Sequence, residues 1–219
     1  MSILQTDDTI AAISTPAGTG GIGIIRISGD KAFEIAEKIF IGKKDFSNIK
    51  SHTIKYGKII DPSAGEIIDE VLISKMRKPH TFTSEDMVEI NCHGGITVLR
   101  NVLELVIREG ARLAEPGEFT QRAFLKGRTD LSQAEAVIDI INSKTKESSK
   151  AAIEQLEGKL SRRLKEIRKK LISLIANKEV NKEYPEYAIE EITLEETCST
   201  IHETYYKLEN LIKSFEKGR

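Results

Sequence analysis

Four of the five prolines in this chain precede residue 117, and residues 119–219 hold only Pro185. Proline has no backbone N–H to give and breaks helix interiors, so its distribution limits what each part can become. The second part also lacks strand-like alternation and carries apolar residues at helical spacing. Ile153, Leu156, Leu160, Leu164, Ile167, Leu171 and Leu174 follow one another by steps of three and four. Leu194, Cys198, Ile201, Tyr205, Leu208, Ile212 and Phe215 do the same. Such stripes need a partner surface, supplied by each other as an antiparallel pair or by segments from elsewhere. A further helix is expected to begin near Ser132, or at the Asp130 before it, with Glu135 at capping-box spacing from Ser132.

The first part reads differently. Residues 9–14, 23–28, 53–60, 67–74 and 87–92 are short apolar runs bounded by turn residues, the pattern of strands. Residues 30–40 place Ala32, Phe33, Ala36, Ile39 and Phe40 at helical spacing, with Ser28 or Asp30 as the expected cap. A second helix is expected over residues 96–109, ending at Gly110. The expectation is therefore an α+β domain over residues 1–118, followed by an all-α domain over residues 119–219. The last helix ends on a charged stretch with nothing to cover its apolar face, so the helical domain is expected to be incomplete.

Hydrophobic residues make up 39% of the chain and charged residues 31%, enough apolar material for a core. No apolar run approaches the roughly 20 residues that span a bilayer, and residues 1–8 have no basic-then-apolar leader pattern. Cys92 and Cys198 are too few for a disulfide framework, and His52, His80, His93 and His202 have no zinc-like spacing to them. A cytoplasmic protein with no metal site and no membrane contact is expected. The formal net charge of −1 argues against binding nucleic acid over the whole surface. Locally, residues 159–170 carry seven basic residues and one acid, Glu166, while residues 178–196 are rich in glutamate. Two solvated helix faces explain these runs, and a phosphate- or partner-facing stripe is the alternative.

Gly18-Thr19-Gly20-Gly21-Ile22-Gly23 spells a dinucleotide-binding fingerprint. That motif works only when a helix follows and points its N-terminus at the pyrophosphate. Here Ile24-Ile25-Arg26-Ile27 reads as a strand, so the glycines are expected to let backbone approach a flat ligand instead. No GxxxxGK[ST] phosphate loop occurs, so this chain alone is not expected to hydrolyse a nucleoside triphosphate. In Glu89-Ile90-Asn91-Cys92-His93-Gly94-Gly95, strand alternation puts Glu89 and Asn91 on one face and Ile90 and Cys92 on the other. Cys92 and His93 thus point apart, and no nucleophile–base dyad is expected. Residues 115–128 are dense with glycine, charge and aromatic side chains, either as an ordered linker or as part of a site.

Three stretches in this order resemble the MnmE (TrmE) family of tRNA-modification GTPases. They are Asp8-Thr9-Ile10-Ala11-Ala12 through Pro16-Ala17-Gly18-Thr19-Gly20-Gly21 to Arg26-Ile27-Ser28-Gly29, then residues 89–95, then residues 114–128 continuing into Asp130-Leu131-Ser132-Gln133-Ala134-Glu135-Ala136. Glu179-Val180-Asn181 and Tyr184-Pro185-Glu186-Tyr187 are also similar to the family. The resemblance implies that the first domain is like folate-dependent aminomethyltransferases, forms a homodimer, and binds a 5-formyl-tetrahydrofolate-type cofactor near the interface. It also implies a helical domain interrupted by a GTPase domain, so the chain would stop where that domain begins. GTP, magnesium and potassium would belong to the missing part, along with a C-terminal cysteine motif. With the flavoprotein MnmG, such enzymes add a carboxymethylaminomethyl group to the wobble uridine of certain tRNAs.

By the same resemblance the folate-contacting positions fall on Arg26, Glu89 and Arg128, with no catalytic residue in this part of the chain. The chemistry fits: a carboxylate accepts adjacent pterin N–H groups as a pair, and a guanidinium suits carboxylate or carbonyl oxygens. Arg128 stands where the family usually has lysine, and Lys126 where asparagine is usual. Asn177, Lys178 and Lys182 are more polar than the corresponding family helix. Two other functions are compatible with the first domain: a free-standing folate-dependent one-carbon transferase, and a scaffold that dimerises around an empty pocket.

Overall fold

A computed structural model describes residues 8–183 and 192–217. The Tyr184-Pro185-Glu186-Tyr187 stretch and the Lys182 and Phe215 side chains, singled out above, lie outside the described residues. The chain divides into two compact units, Met1–Ala134 and Glu135–Arg219.

The first unit is built on a seven-stranded sheet. Strands β1 (Ile10–Ile13), β2 (Ile22–Ser28), β3 (Phe40–Gly42), β4 (Thr53–Ile60), β5 (Ile67–Met76), β6 (Met87–His93) and β7 (Arg112–Leu113) run in the order β3-β4-β5-β6-β2-β1-β7. All neighbours are antiparallel except β1 and β7. The five strand runs expected from sequence are present, and β3 and β7 are additions too short to show any periodicity.

Directly opposed residues share a face, so the register sorts the sheet's side chains. Ile27 opposes Val88, and Ile25 opposes Ile90, which in turn opposes Ile73. These are fully buried under α1 (Ala32–Ile39) and α2 (Ile96–Arg108), which contribute Ile35, Ile39, Val102 and Val106 to the same core. Burying each such side chain stabilises the fold by about 1.5–3 kcal/mol. Arg26 and Glu89 oppose each other on the other face, away from both helices. That face also shows Ile54 and Tyr56, each 60% exposed, and Leu72, 45% exposed.

The cap of α1 differs from expectation. Neither Ser28 nor Asp30 supplies it; Lys31 N–H donates instead to Thr9 Oγ1 at 2.9 Å. Ser28 is engaged with Thr83 and Glu85, and Asp30 with Lys78 at 3.0 Å. α2 ends next to Gly110 as expected, its last carbonyls taken by Gly110 and Ala111.

Helix α3 (Glu118–Leu125) also belongs to the first unit, which therefore extends past residue 118. The reason is a set of ion pairs from Glu118 and Arg122 to Asp8, Glu85 and Arg112 on the strands and loops. The start of α4 (Leu131–Asn142) is closed by Asp130, one of the two starts expected. Gln133 N–H donates to Asp130 Oδ1 and Asp130 N–H donates to Gln133 Oε1, both at 3.0 Å.

The second unit holds α5 (Lys146–Leu156), α6 (Lys159–Glu183) and α7 (Leu194–Lys217). The 153–174 stripe does not lie on one helix, because the chain turns at Gly158 between α5 and α6. Helices α6 and α7 run antiparallel, tied by Lys170 to Glu203 at 3.1 Å and by Lys178 Nζ to the Ile192 carbonyl at 2.9 Å. Ile167 and Leu174 of α6 are buried. On α7, however, the inward row is Thr197, Thr200, Thr204, Leu208 and Leu211. The expected stripe mostly faces outward: Leu194, Ile201, Tyr205 and Ile212 are all at least half exposed. Among the described residues α7 has packed on its threonine row, which leaves the apolar stripe uncovered. No helix of the described residues is long and apolar enough to cross a membrane.

Candidate functional site

Arg26 and Glu89 sit opposite each other on adjacent strands β2 and β6, so the sheet itself fixes their spacing. Arg26 Nε donates to Glu89 Oε1 at 2.8 Å, and Nη2 lies 2.7 Å from the same oxygen. Both side chains are about one-quarter exposed, so the pair is half dried but reachable from solvent. Oε2 of Glu89 has no hydrogen-bond partner among the described residues and remains available as an acceptor.

The Arg26 guanidinium is also flanked by aromatic rings, 5.3 Å from the Phe82 centroid and 5.5 Å from that of Phe119. These contacts hold a guanidinium by cation–π attraction and restrict its rotamer. Arg128 reaches the same place from α3. Gly127, at φ 73°, ends that helix in the left-handed region, and Arg128 N–H returns to the Ala123 carbonyl at 3.0 Å. That turn aims the Arg128 side chain at Phe82: its Nη1 donates to the Phe82 carbonyl at 3.0 Å, and its guanidinium lies 5.2 Å from the ring. The three residues singled out in the sequence are thus gathered around Phe82, with Arg26 and Glu89 touching and Arg128 joined to them through the ring.

Beneath this cluster lies a buried polar layer that the sequence did not reveal. Arg122 is 2% exposed. Its guanidinium donates to the Asp8 carbonyl at 2.7 Å, to the Asp8 carboxylate, and to Glu118 Oε1 at 3.0 Å. Glu85 lies 3.4 Å away and accepts from Ser28 Oγ at 2.8 Å, which also contacts Thr83 Oγ1 at 2.6 Å. Arg112 completes the layer with Nε to Asp8 at 2.7 Å and Nη2 to Glu118 at 2.7 Å. Burial alone would raise the Asp8 and Glu118 pKa values. The hydrogen bonds and charge of Arg112 and Arg122 outweigh it and hold both below the usual carboxylate range. This layer fixes the 81–86 loop, which carries Phe82, and α3, which carries Phe119 and leads into the turn that holds Arg128.

Cys92 and His93 form no dyad. Cys92 is buried on the helix-covered face, and burial pushes its thiol up to about 12, leaving it protonated and inert. His93 pairs instead with Asp69: Nδ1 to Oδ1 is 2.6 Å, and the His93 backbone N–H donates to Oδ2 at 2.8 Å. That hydrogen bond raises the imidazole pKa. The 18–23 glycines lead into strand β2 rather than a helix, as their context implied. The Gly20 carbonyl packs against Gly94, so close that a Cβ on Gly94 would sit 2.4 Å from the Gly20 oxygen.

Phe82 and Phe119 were not singled out by the sequence reading. Phe119 lies in the chemically dense 115–128 stretch and had that signal, whereas Phe82 sits in an aperiodic loop and had none. Among the described residues no group of three or more His, Cys, Asp or Glu side chains is placed to hold a metal ion.

Comparison with known proteins gives a consistent picture. Residues 9–128 match the family described as the GTP-binding protein TrmE N-terminus, and residues 131–219 match the MnmE helical domain. A tRNA modification GTPase MnmE from Acetivibrio thermocellus is 70% identical over 216 residues, covering 99% of this chain and 47% of the relative. The proteins of the same description from Carboxydothermus hydrogenoformans and Streptococcus sanguinis are 54% and 52% identical, covering 97% and 99% of this chain. The chain spans about half the length of these curated relatives.

Proposed function

This chain belongs to the TrmE/MnmE family, and from that premise we propose that it is the folate-binding, self-associating part of a GTPase that modifies tRNA. The observation that carries the folate reading is the gathering of Arg26, Glu89 and Arg128 around Phe82 on the sheet face opposite α1 and α2. A reduced pterin offers adjacent N–H donors, an aromatic-sized flat face and, through its glutamate tail, carboxylates. Glu89 Oε2 accepts from the pterin, Arg26 holds Glu89 in place, and Arg128 takes cofactor oxygens. Phe82 and Phe119 are aromatic surfaces against which the flat ring packs. When bound, such a cofactor supplies a one-carbon unit; the residues of this chain bind and orient it.

Self-association rests on the same face. Ile54, Tyr56 and Leu72 are too exposed to serve the core of a single copy, and they share the face with Glu89. A second copy packed there would cover them and border the folate site. GTP with magnesium and potassium, the MnmG flavoprotein and wobble-uridine chemistry belong, in this reading, to the longer protein of which the relatives are examples.

Titration calorimetry with 5-formyl-tetrahydrofolate, run beside a solution mass measurement, tests the proposal. Binding by a dimeric wild type is expected, with at least a tenfold loss in Glu89→Gln, which keeps shape and removes charge. Equal affinity in Glu89→Gln would show that the pocket lies elsewhere. A free-standing one-carbon transferase would instead transfer its unit to a small amine with no partner present.

A further inference from the structure

We propose that the solvent face of the first half of α6 is a docking surface for the phosphate backbone of RNA, specifically the tRNA that the reading above makes a substrate. The seven basic residues of the 159–170 run are all exposed. Lys159 is neutralised by Glu154 at 2.9 Å and Lys170 by Glu203 at 3.1 Å. Arg162, Lys165, Arg168 and Lys169 have no carboxylate within ion-pair distance among the described residues. Steps of three and four put Arg162, Lys165 and Lys169 in one row, with Arg168 beside it, opposite the buried Ile167 and Leu174. The row extends about 10 Å along the helix axis. Glu166, the single acid of the run, borders this row one turn from Arg162 and from Lys169 without pairing with either, and lines a cleft of about 390 Å³ between α6 and α7, together with Arg163, Lys170 and Lys207.

Like charges at these spacings repel one another, so the row costs the isolated helix stability that an anionic partner would restore. The row contains no apolar residue. Protein interfaces are built on an apolar core depleted of charge, whereas a phosphate backbone needs only regularly placed cations. A polyanion therefore fits this surface better than an acidic protein does. The chain's net charge of −1 makes the attraction local to this face.

The test measures tRNA binding by the full chain across a salt series for three proteins. They are the wild type, the triple variant Arg162→Gln/Lys165→Gln/Lys169→Gln, and the charge-matched control Lys43→Gln/Lys44→Gln/Lys50→Gln. Glutamine keeps good helix propensity, and circular dichroism confirms that each variant stays folded. The triple variant is expected to lower the slope of log affinity against log salt by about 2–3, and to weaken binding at ~0.1 M salt on the order of a hundredfold. The control is expected to change neither by more than about threefold. An unchanged slope in the triple variant, or an equal loss in the control, overturns the assignment. So does polyglutamate of matched charge competing as well as tRNA, which would point to an acidic protein. Wild type that binds no tRNA even at low salt sinks the tRNA part of the proposed function as well, whereas an unchanged triple variant leaves that part standing.

Discussion

Replacing Arg122 by methionine removes the one cation among the described residues that touches Asp8, Glu85 and Glu118 together. Its side chain is 2% exposed, and those of Glu85 and Glu118 are 7% and 8% exposed, so solvent cannot compensate. Removing one partner of a buried pair typically costs about 3–5 kcal/mol, because charge is left without compensation. Arg112 still holds Glu118 and Asp8, and Ser28 still donates to Glu85, which places the expected loss at the low end, about 3 kcal/mol. Native-state hydrogen exchange of β1, β2 and α3 amides reads this locally, where a two-unit chain gives no single unfolding transition. Exchange should quicken roughly a hundredfold, since each 1.4 kcal/mol is a factor of ten. The pH dependence gives a second check. Asp8 and Glu118 have lowered pKa values in the fold, so their contribution is present above the ordinary carboxylate pKa of about 4 and is lost as pH falls through the folded values. Wild type therefore loses more than the variant on acidification, and the gap between them should narrow from pH 7 to pH 3. A gap that stays constant, or a loss below about 0.5 kcal/mol, would refute the account of this layer as an electrostatic lock.

Three further perturbations read other parts of the fold. Lys75 is buried, donates to the Phe46 and Ser47 carbonyls at 3.1 Å, and lies 4.7 Å from the Phe46 ring centroid. Lys75→Ala should cost about 2 kcal/mol, read as roughly thirtyfold faster hydrogen exchange of the β5 amides, and unchanged exchange would count against these contacts. The Asp69 hydrogen bond raises the His93 pKa, so the pair's stabilisation is complete below about pH 6.5 and fades as pH rises through the raised value. Asp69→Asn should bring the imidazole back toward ~6.5 in an NMR titration, and no downward shift would show that Asp69 is not the cause. Gly94→Ala would force a methyl against the Gly20 carbonyl at a cost of about 1–3 kcal/mol, and should speed proteolysis of the 16–21 loop; unchanged cleavage would mean that the loop does not rest on Gly94.

What could be read beforehand follows the range over which each signal acts. Strand alternation in residues 89–92 sorted Glu89 from Cys92 onto opposite faces, and the register agrees, because period two is a local property. The order of the strands was out of reach: β2 lies between β1 and β6, and the Arg26–Glu89 contact closes 63 residues of chain. The Glu118–Arg122 spacing is visible as an ordinary helical ion pair, but Asp8, 114 positions away, is what makes it a buried layer. This distant tie also explains why α3 stays with the first unit although composition changes at residue 118. Periodicity on α7 marked an apolar stripe but carried no information on which face the nearest helix would take.

The sheet gives a physical reason why the proposed folate site and the proposed self-association surface would belong together. One face is covered by α1 and α2, and its isoleucines and valines are dry. On the other face, Glu89 and Arg26 are held only part-way out of water, next to Tyr56, Leu72 and Ile54. An ion pair this exposed contributes little to stability, about 0–1 kcal/mol, and exposed apolar residues contribute less than buried ones. The second face is therefore poorly used by the single copy. Covering it with a second copy would strengthen every interaction of the Arg26–Glu89 pair by excluding water, and so would tighten its hold on a polar ligand. Ligand affinity and self-association should then rise together, so that diluting the protein below its dimerisation range weakens 5-formyl-tetrahydrofolate binding. Affinity independent of protein concentration across the monomer–dimer transition would separate the two and remove this coupling.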